Sequence, residues 1–392
     1  MEAAIYRPPQ IGLLALFLRF LRFGCLAFGG PVAQIAMVRD ALVEREGWID
    51  RARFNRLLAV MQVLPGPEAH ELCVHLGMVA RGRIGGLLAG LGFMLPGFIL
   101  MLIAGWLYVR FVAGASPVAG ALIGVQIAVI GIVARAVWRI GIHVIDDRTL
   151  GAIALASFVA TLIGVPFWLP LAAGGLAYAL ARRRLIAVAI LAGAAALAVV
   201  SRGSAPIAAM TANAAPTIGA LFVAGLKGGL LTFGGAYTAI PYVRADTVGR
   251  GWVSDASFLD GVAIAGVLPA PLVIFATFVG YVAGGPGGAL AITAGMFLPA
   301  FAFSLIFFER LEAVVKAPAL NRLLTGVAAA VVGIIAATAA QLAQAAAPRV
   351  PDLVAGGAIL AIALVLAWRL KGGWVTPAII ALGALSGWLL LS

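Results

Sequence analysis

Between Gly261 and Phe308 the chain carries no charged side chain, and the stretches from Thr149 to Ala181 and from Leu323 to Pro348 are equally free of charge. Each exceeds the roughly 20 residues that cross a hydrocarbon core, and several leave room for two crossings. With 63% hydrophobic and 11% charged residues and a mean hydropathy of +1.10, the chain has too little charged surface to cover a water-soluble globule. The pattern predicts an all-α polytopic membrane protein. Apolar runs divide the first half near 12–36, 57–78, 84–109, 116–141, 149–165, 167–181 and 185–201. The second half divides near 214–242, 258–282, 286–308, 320–346, 353–368 and 373–391, which gives about 13 transmembrane or re-entrant helical elements in all.

The two halves repeat each other. Arg22-Phe-Gly-Cys-Leu-Ala-Phe-Gly-Gly30 returns 205 positions later as Lys227-Gly-Gly-Leu-Leu-Thr-Phe-Gly-Gly235. At nearly the same offset Gly47-Trp48 matches Gly251-Trp252, Leu64-Pro65-Gly66-Pro67 matches Leu268-Pro269-Ala270-Pro271, Gly77 matches Gly280, and Leu95-Pro96 matches Leu298-Pro299. This predicts two repeats, 1–204 and 205–392. An odd number of crossings in the first would insert the second from the opposite side, so the repeats would be inverted and alternating access would follow naturally.

The net charge of +12 and pI near 10.8 do not point to nucleic acid, because the Lys and Arg residues lie dispersed in short turns. Arg81-Gly-Arg83, Arg182-Arg-Arg184 and Arg369-Leu-Lys371 are compact basic turns of the kind that stay cytoplasmic, and all three do so if the amino terminus is inside. Residues 37–56 conflict with that count: they would face outward yet hold Arg39, Arg45, Arg51, Arg53 and Arg56, unless a re-entrant hairpin precedes them. Cys25 and Cys73 lie in apolar sequence and read as small buried hydrophobes. The amino-terminal segment lacks the pattern of a cleaved signal and is expected to be retained. No phosphate-binding loop, hydrolase, phosphoryl-transfer or redox signature is present, and Asp146-Asp147-Arg148 reads as a turn, so the chain is not expected to be an enzyme or to need a cofactor.

The candidate site follows from what a bilayer makes costly. Phe28-Gly29-Gly30-Pro31 and Phe233-Gly234-Gly235 interrupt apolar helices, and a helix restarting there offers free amides and a positive dipole end to an anion; the same glycines could instead serve close helix contact. Arg22 and Lys227, each six residues before its phenylalanine, would supply positive charge, with snorkelling to the headgroups as the alternative. Arg39 and Arg244 also match in register and read as gating or orienting charges. Pro65, Gly66 and Pro67, and Pro269 and Pro271, read as helix breaks of the kind tolerated only where backbone is buried in protein or lines a cavity, with simple proline kinks as the alternative. Glu68, His70, Glu71 and His75 follow the first of these; Glu71 and His75 share a helix face and could relay protons, while Glu68 and Glu71 could equally solvate a helix start. Too few ligands converge for a metal site.

Taken together, Phe28-Gly-Gly-Pro31, Gly47-Trp48, Leu64-Pro-Gly-Pro-Glu-Ala-His70 and Gly85-Gly86 leading to Leu95-Pro96, with weaker copies downstream, resemble the long-chain form of the chromate ion transporter family over about residues 10–392. The resemblance implies a multi-pass carrier of the bacterial-type inner membrane that expels chromate and confers resistance, with sulfate as the structural analogue. Its implied partners are the small oxyanion and membrane lipid, with no nucleic acid; homo-oligomers are compatible with it. Many family members carry Gln and Tyr where this chain has Glu71 and His75. Proton-coupled uptake of sulfate or a related oxyanion, and a passive anion channel, are the alternatives.

Overall fold

The computed structural model describes residues 10–28, 30–61, 66–112, 119–180, 215–232, 236–306, 318–370 and 374–391, with positions 193 and 372. All regular structure among these residues is helical. The first half contains α1 (Leu13–Cys25), α2 (Gly30–Arg39, continued by a wider turn over Asp40–Arg45), α3 (Arg51–Met61), α4 (Glu68–Leu107, continued over Tyr108–Val112), α5 (Ala119–Val144), α6 (Arg148–Leu162) and α7 (Trp168–Ala179). The second contains α8 (Ile218–Leu230), a 3-10 turn (Ala236–Ala239), α9 (Ile240–Thr247), α10 (Asp255–Val267), α11 (Phe275–Ile306, entered through a 3-10 turn at Leu272–Ile274), α12 (Pro318–Ala346, followed by a 3-10 turn at Ala347–Arg349), α13 (Leu353–Arg369) and α14 (Val375–Leu390). Local chemistry sets several starts: Thr217, Ser254, Asp147 and Asp352 accept from backbone amides of the first turns of α8, α10, α6 and α13. Asp147, outside the spans, is held below the usual carboxylate range chiefly by the amide of Leu150, 2.8 Å away.

Among the described residues four helices are long and apolar enough to cross a membrane: Glu68–Val112, Ala119–Val144, Leu272–Ile306 and Asn321–Arg349. Exposed large apolar side chains such as Leu14, Trp138, Trp168, Val354 and Trp388 suit a lipid-facing exterior, and the chain is a multi-pass membrane protein. α4 and α11 each double back. Arg81 (φ −143°, ψ 31°) and Gly82 (φ 62°, ψ −159°) break α4, and Gly284 (φ −144°, ψ 24°) and Gly285 (φ 63°, ψ −158°) break α11 in almost the same dihedrals. Behind each bend the arms touch: Gly77 lies against Gly85 and Ala89, Gly280 against Gly288 and Ile292, and Thr277 Oγ1 is 2.7 Å from Thr293 Oγ1. The basic turn Arg81-Gly-Arg83 is therefore the tip of a helical hairpin. Its short arm, 68–80, rises about 20 Å at 1.5 Å per residue, less than a hydrocarbon core of about 30 Å.

The expected segments differ from the observed elements in ways that trace to glycine and proline. Segment 12–36 is two helices, α1 and α2; 57–78 is α3 and the short arm of α4; 214–242 is split after Leu230; 258–282 is split after Val267. These apolar runs thus resolve into shorter pieces, since bilayer-length apolar runs are not bilayer-length helices when such breaks interrupt them. Residues 37–56 are mostly helical, and several of their charges are paired: Arg39 with Glu44, Arg45 with Asp40, Arg51 with Glu44 and Glu46 with Arg19. Both α1 and α2 are too short to cross, which removes the reason to place this basic stretch outside. Segment 185–201 and the turn at Arg182–Arg184 lie outside the described residues, position 193 excepted. Cys25, expected to be buried, is exposed at the end of α1, whereas Cys73 is buried.

Packing joins the halves. α4 packs on α11, while α5, α6 and α7 pack against α12, α13 and α14. One apolar core accordingly draws Met101, Val129 and Ile153 from the first half and Tyr242, Phe258, Phe275, Ile292 and Ile335 from the second; Leu16, Phe20, Trp48, Phe54, Leu72 and Phe93 form another within the first. Open space surrounds both Gly285 and Gly219, so alanine at each tests backbone alone. Gly285→Ala should lose about 1–3 kcal/mol because its dihedrals admit only glycine. Gly219→Ala, inside α8, should gain up to about 1 kcal/mol. Thermal unfolding in detergent should move in opposite directions for the two.

Candidate functional site

Each half carries two helix interruptions, and the chain enters the glycine pair in the same way. α1 closes at Leu26 (φ −105°, ψ 5°) and α8 at Leu231 (φ −105°, ψ 7°). Phe28 is 44% exposed, and Gly30 opens α2 with φ 79°. Gly29, Phe233, Gly234, Gly235 and Pro65 lie outside the described residues. Gly66 is buried with φ 147°, and Pro67 precedes the first turn of α4 in an extended conformation. Pro269 and Pro271 fall between α10 and the 3-10 turn that begins at Leu272.

The interruptions meet crosswise. Gln34, on α2 and 1% exposed, donates from Nε2 to the carbonyl of Ala27 at 2.8 Å and to that of Ala270 at 2.9 Å. It thus joins the glycine break of the first half to the proline break of the second. In the reciprocal position the Gly66 amide donates to the Thr232 carbonyl at 2.8 Å, joining the proline break of the first half to the glycine break of the second. Backbone groups freed by a break inside a bilayer must find partners in protein, and here the other half supplies them. A cavity of about 20 Å³ lies at the first junction, lined by Gly30, Tyr237, Gly266, Leu268, Ala270 and Thr376. That is room for little more than one water, so this conformation is closed around the junction.

The two predicted cations take similar places in their helices but not similar partners. Arg22 is exposed in the last turn of α1, and Lys227 lies in the last turn of α8, where a positive charge complements the helix dipole. Lys227 Nζ is 3.1 Å from Asp246 Oδ2, and Arg250 reaches the same carboxylate at 3.2 Å. Neither Arg22 nor Lys227 lines the cavity. Arg39 pairs with Glu44 and stacks over Phe54, while Arg244 binds Asp255 at 2.7 Å and Gln341 at 3.1 Å, tying α9 to α10 and α12. Two arginines not singled out from sequence, Arg135 and Arg139 on α5, lie within electrostatic reach of Tyr237, and Arg139 of Glu68 as well.

Glu68, His70, Glu71 and His75 are all buried on the short arm of α4. The His70 ring meets Phe297 and Phe301 edge-on, at 4.9 and 4.8 Å, so it packs against the second half. Glu71 is 1% exposed; its carboxyl lies against Gly66 and has no hydrogen-bond partner among the described residues. A carboxyl so placed calls for a proton, a cation or a donor. Among the described residues no three metal-ligating side chains come together.

A family profile described as Chromate transporter matches residues 14–179 and 219–388, one stretch in each half. The chain belongs to the chromate transporter family. It is 55% identical over 388 residues to a chromate transport protein of Pseudomonas aeruginosa, covering 97% of this chain and 93% of that one. A chromate transport protein of Cupriavidus metallidurans is 32% identical over 395 residues, covering 98% and 94%, and a probable chromate transport protein of Synechococcus elongatus is 28% identical over 399 residues, covering 98% of each. No solved structure matches. Membership of the chromate transporter family gives the protein a transport role in place of catalysis, and implies an oxyanion as what it carries.

Of the residues sequence reasoning passed over, Arg135 and Arg139 left a readable sign: two cations one turn apart inside the apolar run 119–144. Gln34 left none, because its importance lies in a carbonyl 236 positions away. Replacing Gln34 by Leu keeps the bulk but orphans two buried carbonyls, at about 1–3 kcal/mol each. Gln34→Leu should lower the thermal midpoint in detergent and reduce chromate flux in vesicles at least tenfold.

Proposed function

We propose that this protein is a secondary carrier of the inner membrane that exports chromate and so confers resistance to it, built as two inverted repeats, 1–204 and 205–392, that move about the crossed helix breaks. The observation that carries this reading is the reciprocal pairing of breaks: Gln34 with Ala27 and Ala270, and Gly66 with Thr232. The matched bends at Gly82 and Gly285 support the repeat, and a site made by both halves suits alternating access. Relatives named as chromate transport proteins supply the substrate class.

In this reading the dianion enters where α2 restarts at Gly30, and the Phe28-Gly29-Gly30 and Phe233-Gly234-Gly235 segments donate amides to it. Lys227 exchanges Asp246 for the oxyanion, Arg250 keeping the freed carboxylate paired, while Arg22 serves the first break and Arg39 and Arg244 orient their helices. Arg135 and Arg139 add positive potential near Tyr237. Pro65, Gly66, Pro67, Pro269 and Pro271 keep the second pair of helices interrupted. With the cell interior negative, export of a dianion is favoured by roughly 4.6 kcal/mol per 100 mV, twice the value for one charge.

The burial of Glu68, His70, Glu71 and His75 beside a break favours one second reading, proton-coupled uptake of sulfate or a related oxyanion, with these four as a proton relay. Proteoliposomes with imposed potential and pH gradients separate the two. Chromate efflux driven by potential alone supports export, and sulfate accumulation that requires an inward proton gradient supports uptake. Lys227→Ala should abolish transport with membrane insertion intact, and Lys227→Arg should retain part of it. Unchanged flux in the alanine variant discards the role given to Lys227.

A further inference from the structure

One buried acid belongs to neither break. Asp260, on α10, is 2% exposed, and its donors come from the other half: Tyr108 Oη donates to Oδ2 at 2.8 Å and Gln126 Nε2 to Oδ1 at 3.0 Å. The Tyr108 hydroxyl is also 3.2 Å from Ser257 Oγ, one turn before Asp260. Gln126 is itself 4% exposed, and its Oε1 is buried with no hydrogen-bond partner among the described residues.

The surroundings leave this carboxyl few other controls. Arg349, in the 3-10 turn after α12, acts on it at a distance, and no ion pair to it occurs among the described residues. Asp255, earlier on the same helix, is taken by Arg244. α11 presents Phe278, edge-on to Tyr108 at 5.0 Å, and Phe275, edge-on to Phe258. α14 offers Thr376 and Ile380, which lie near Gly266.

The Asp260 carboxyl can be hydrogen-bonded in two protonation states. As a carboxylate, Asp260 accepts from Tyr108 and Gln126. As an acid it must donate, and rotating the Gln126 amide by half a turn brings the unpartnered Oε1 to where Nε2 now stands, facing Asp260. Gln126 thus offers Asp260 a donor in one orientation of its amide and an acceptor in the other. The bonds that change all cross between the halves, so gain or loss of a proton alters what holds α10 to α4 and α5.

We propose that Asp260 is a proton-binding site, and that its protonation, read out through Tyr108 and Gln126, couples proton movement to the relative motion of the two halves. The proposal rests on the transport reading above, and it names a carboxyl distinct from Glu68 and Glu71. The test uses the full chain in proteoliposomes, with potential clamped, and measures chromate–chromate exchange and the acceleration of net chromate flux by a pH gradient. Asp260→Asn, which preserves shape, should keep exchange within twofold of the wild type and lose at least tenfold of the gradient response. Tyr108→Phe removes one donor to the charged form, so the midpoint of its pH profile should move up by about one pH unit, tenfold in proton affinity. Gradient acceleration that survives Asp260→Asn overturns the proposal, as does wild-type exchange indifferent to pH. Absence of any chromate exchange by the wild type overturns the transport reading instead. Should Asp260→Asn fail to fold, the Tyr108→Phe midpoint decides, and an unmoved midpoint counts against Asp260.

Discussion

Backbone amides and carbonyls released by a broken helix have no water to turn to inside a bilayer, and everything distinctive in this fold answers that constraint. The chain breaks its helices at glycine and proline in both halves and then lays each break against one from the other half. Gln34 serves the Ala27 and Ala270 carbonyls, and the Gly66 amide serves Thr232. The halves are thereby dependent on each other at the point where each is locally weakest, which is also where a solute could be held by backbone groups.

Around that junction the packing is built for close approach. Gly77 and Gly280 let the arms of the two hairpins meet at backbone distance, and nearly equal dihedrals at Gly82 and Gly285 set the bends. Without a hydrophobic drive between helices in lipid, small residues and dispersion contacts carry the association. Farther out, α5, α6 and α7 lie against α12, α13 and α14, so the outer helices are shared as the inner ones are.

The family and the membrane class were legible in sequence because both rest on local pattern: uncharged runs and short motifs of glycine and proline. The break positions were legible for the same reason. What was not legible is pairing at long range. Lys227 looked like a cation awaiting a substrate, yet Asp246, 19 positions on and past a break, already lies beside it. Hydropathy alone drew segment 12–36 as one run, and it was the Phe28-Gly29-Gly30-Pro31 motif that marked the interruption between Cys25 and Gly30. Asp260 drew no notice as one acid in a mixed stretch; only the fold brings Tyr108 and Gln126 to it.

The two crossed junctions are not equivalent in kind. On one side a side chain makes the bridge, and the residue in the matching register of the second half is Ala239, whereas on the other side the bridge is main chain to main chain. A single codon change can retune or delete the glutamine bridge, but no substitution other than proline removes an amide hydrogen from the opposite seam. Variation by side-chain replacement therefore reaches the hydrogen bonds of one junction directly, while the donor and acceptor of the other belong to the main chain itself.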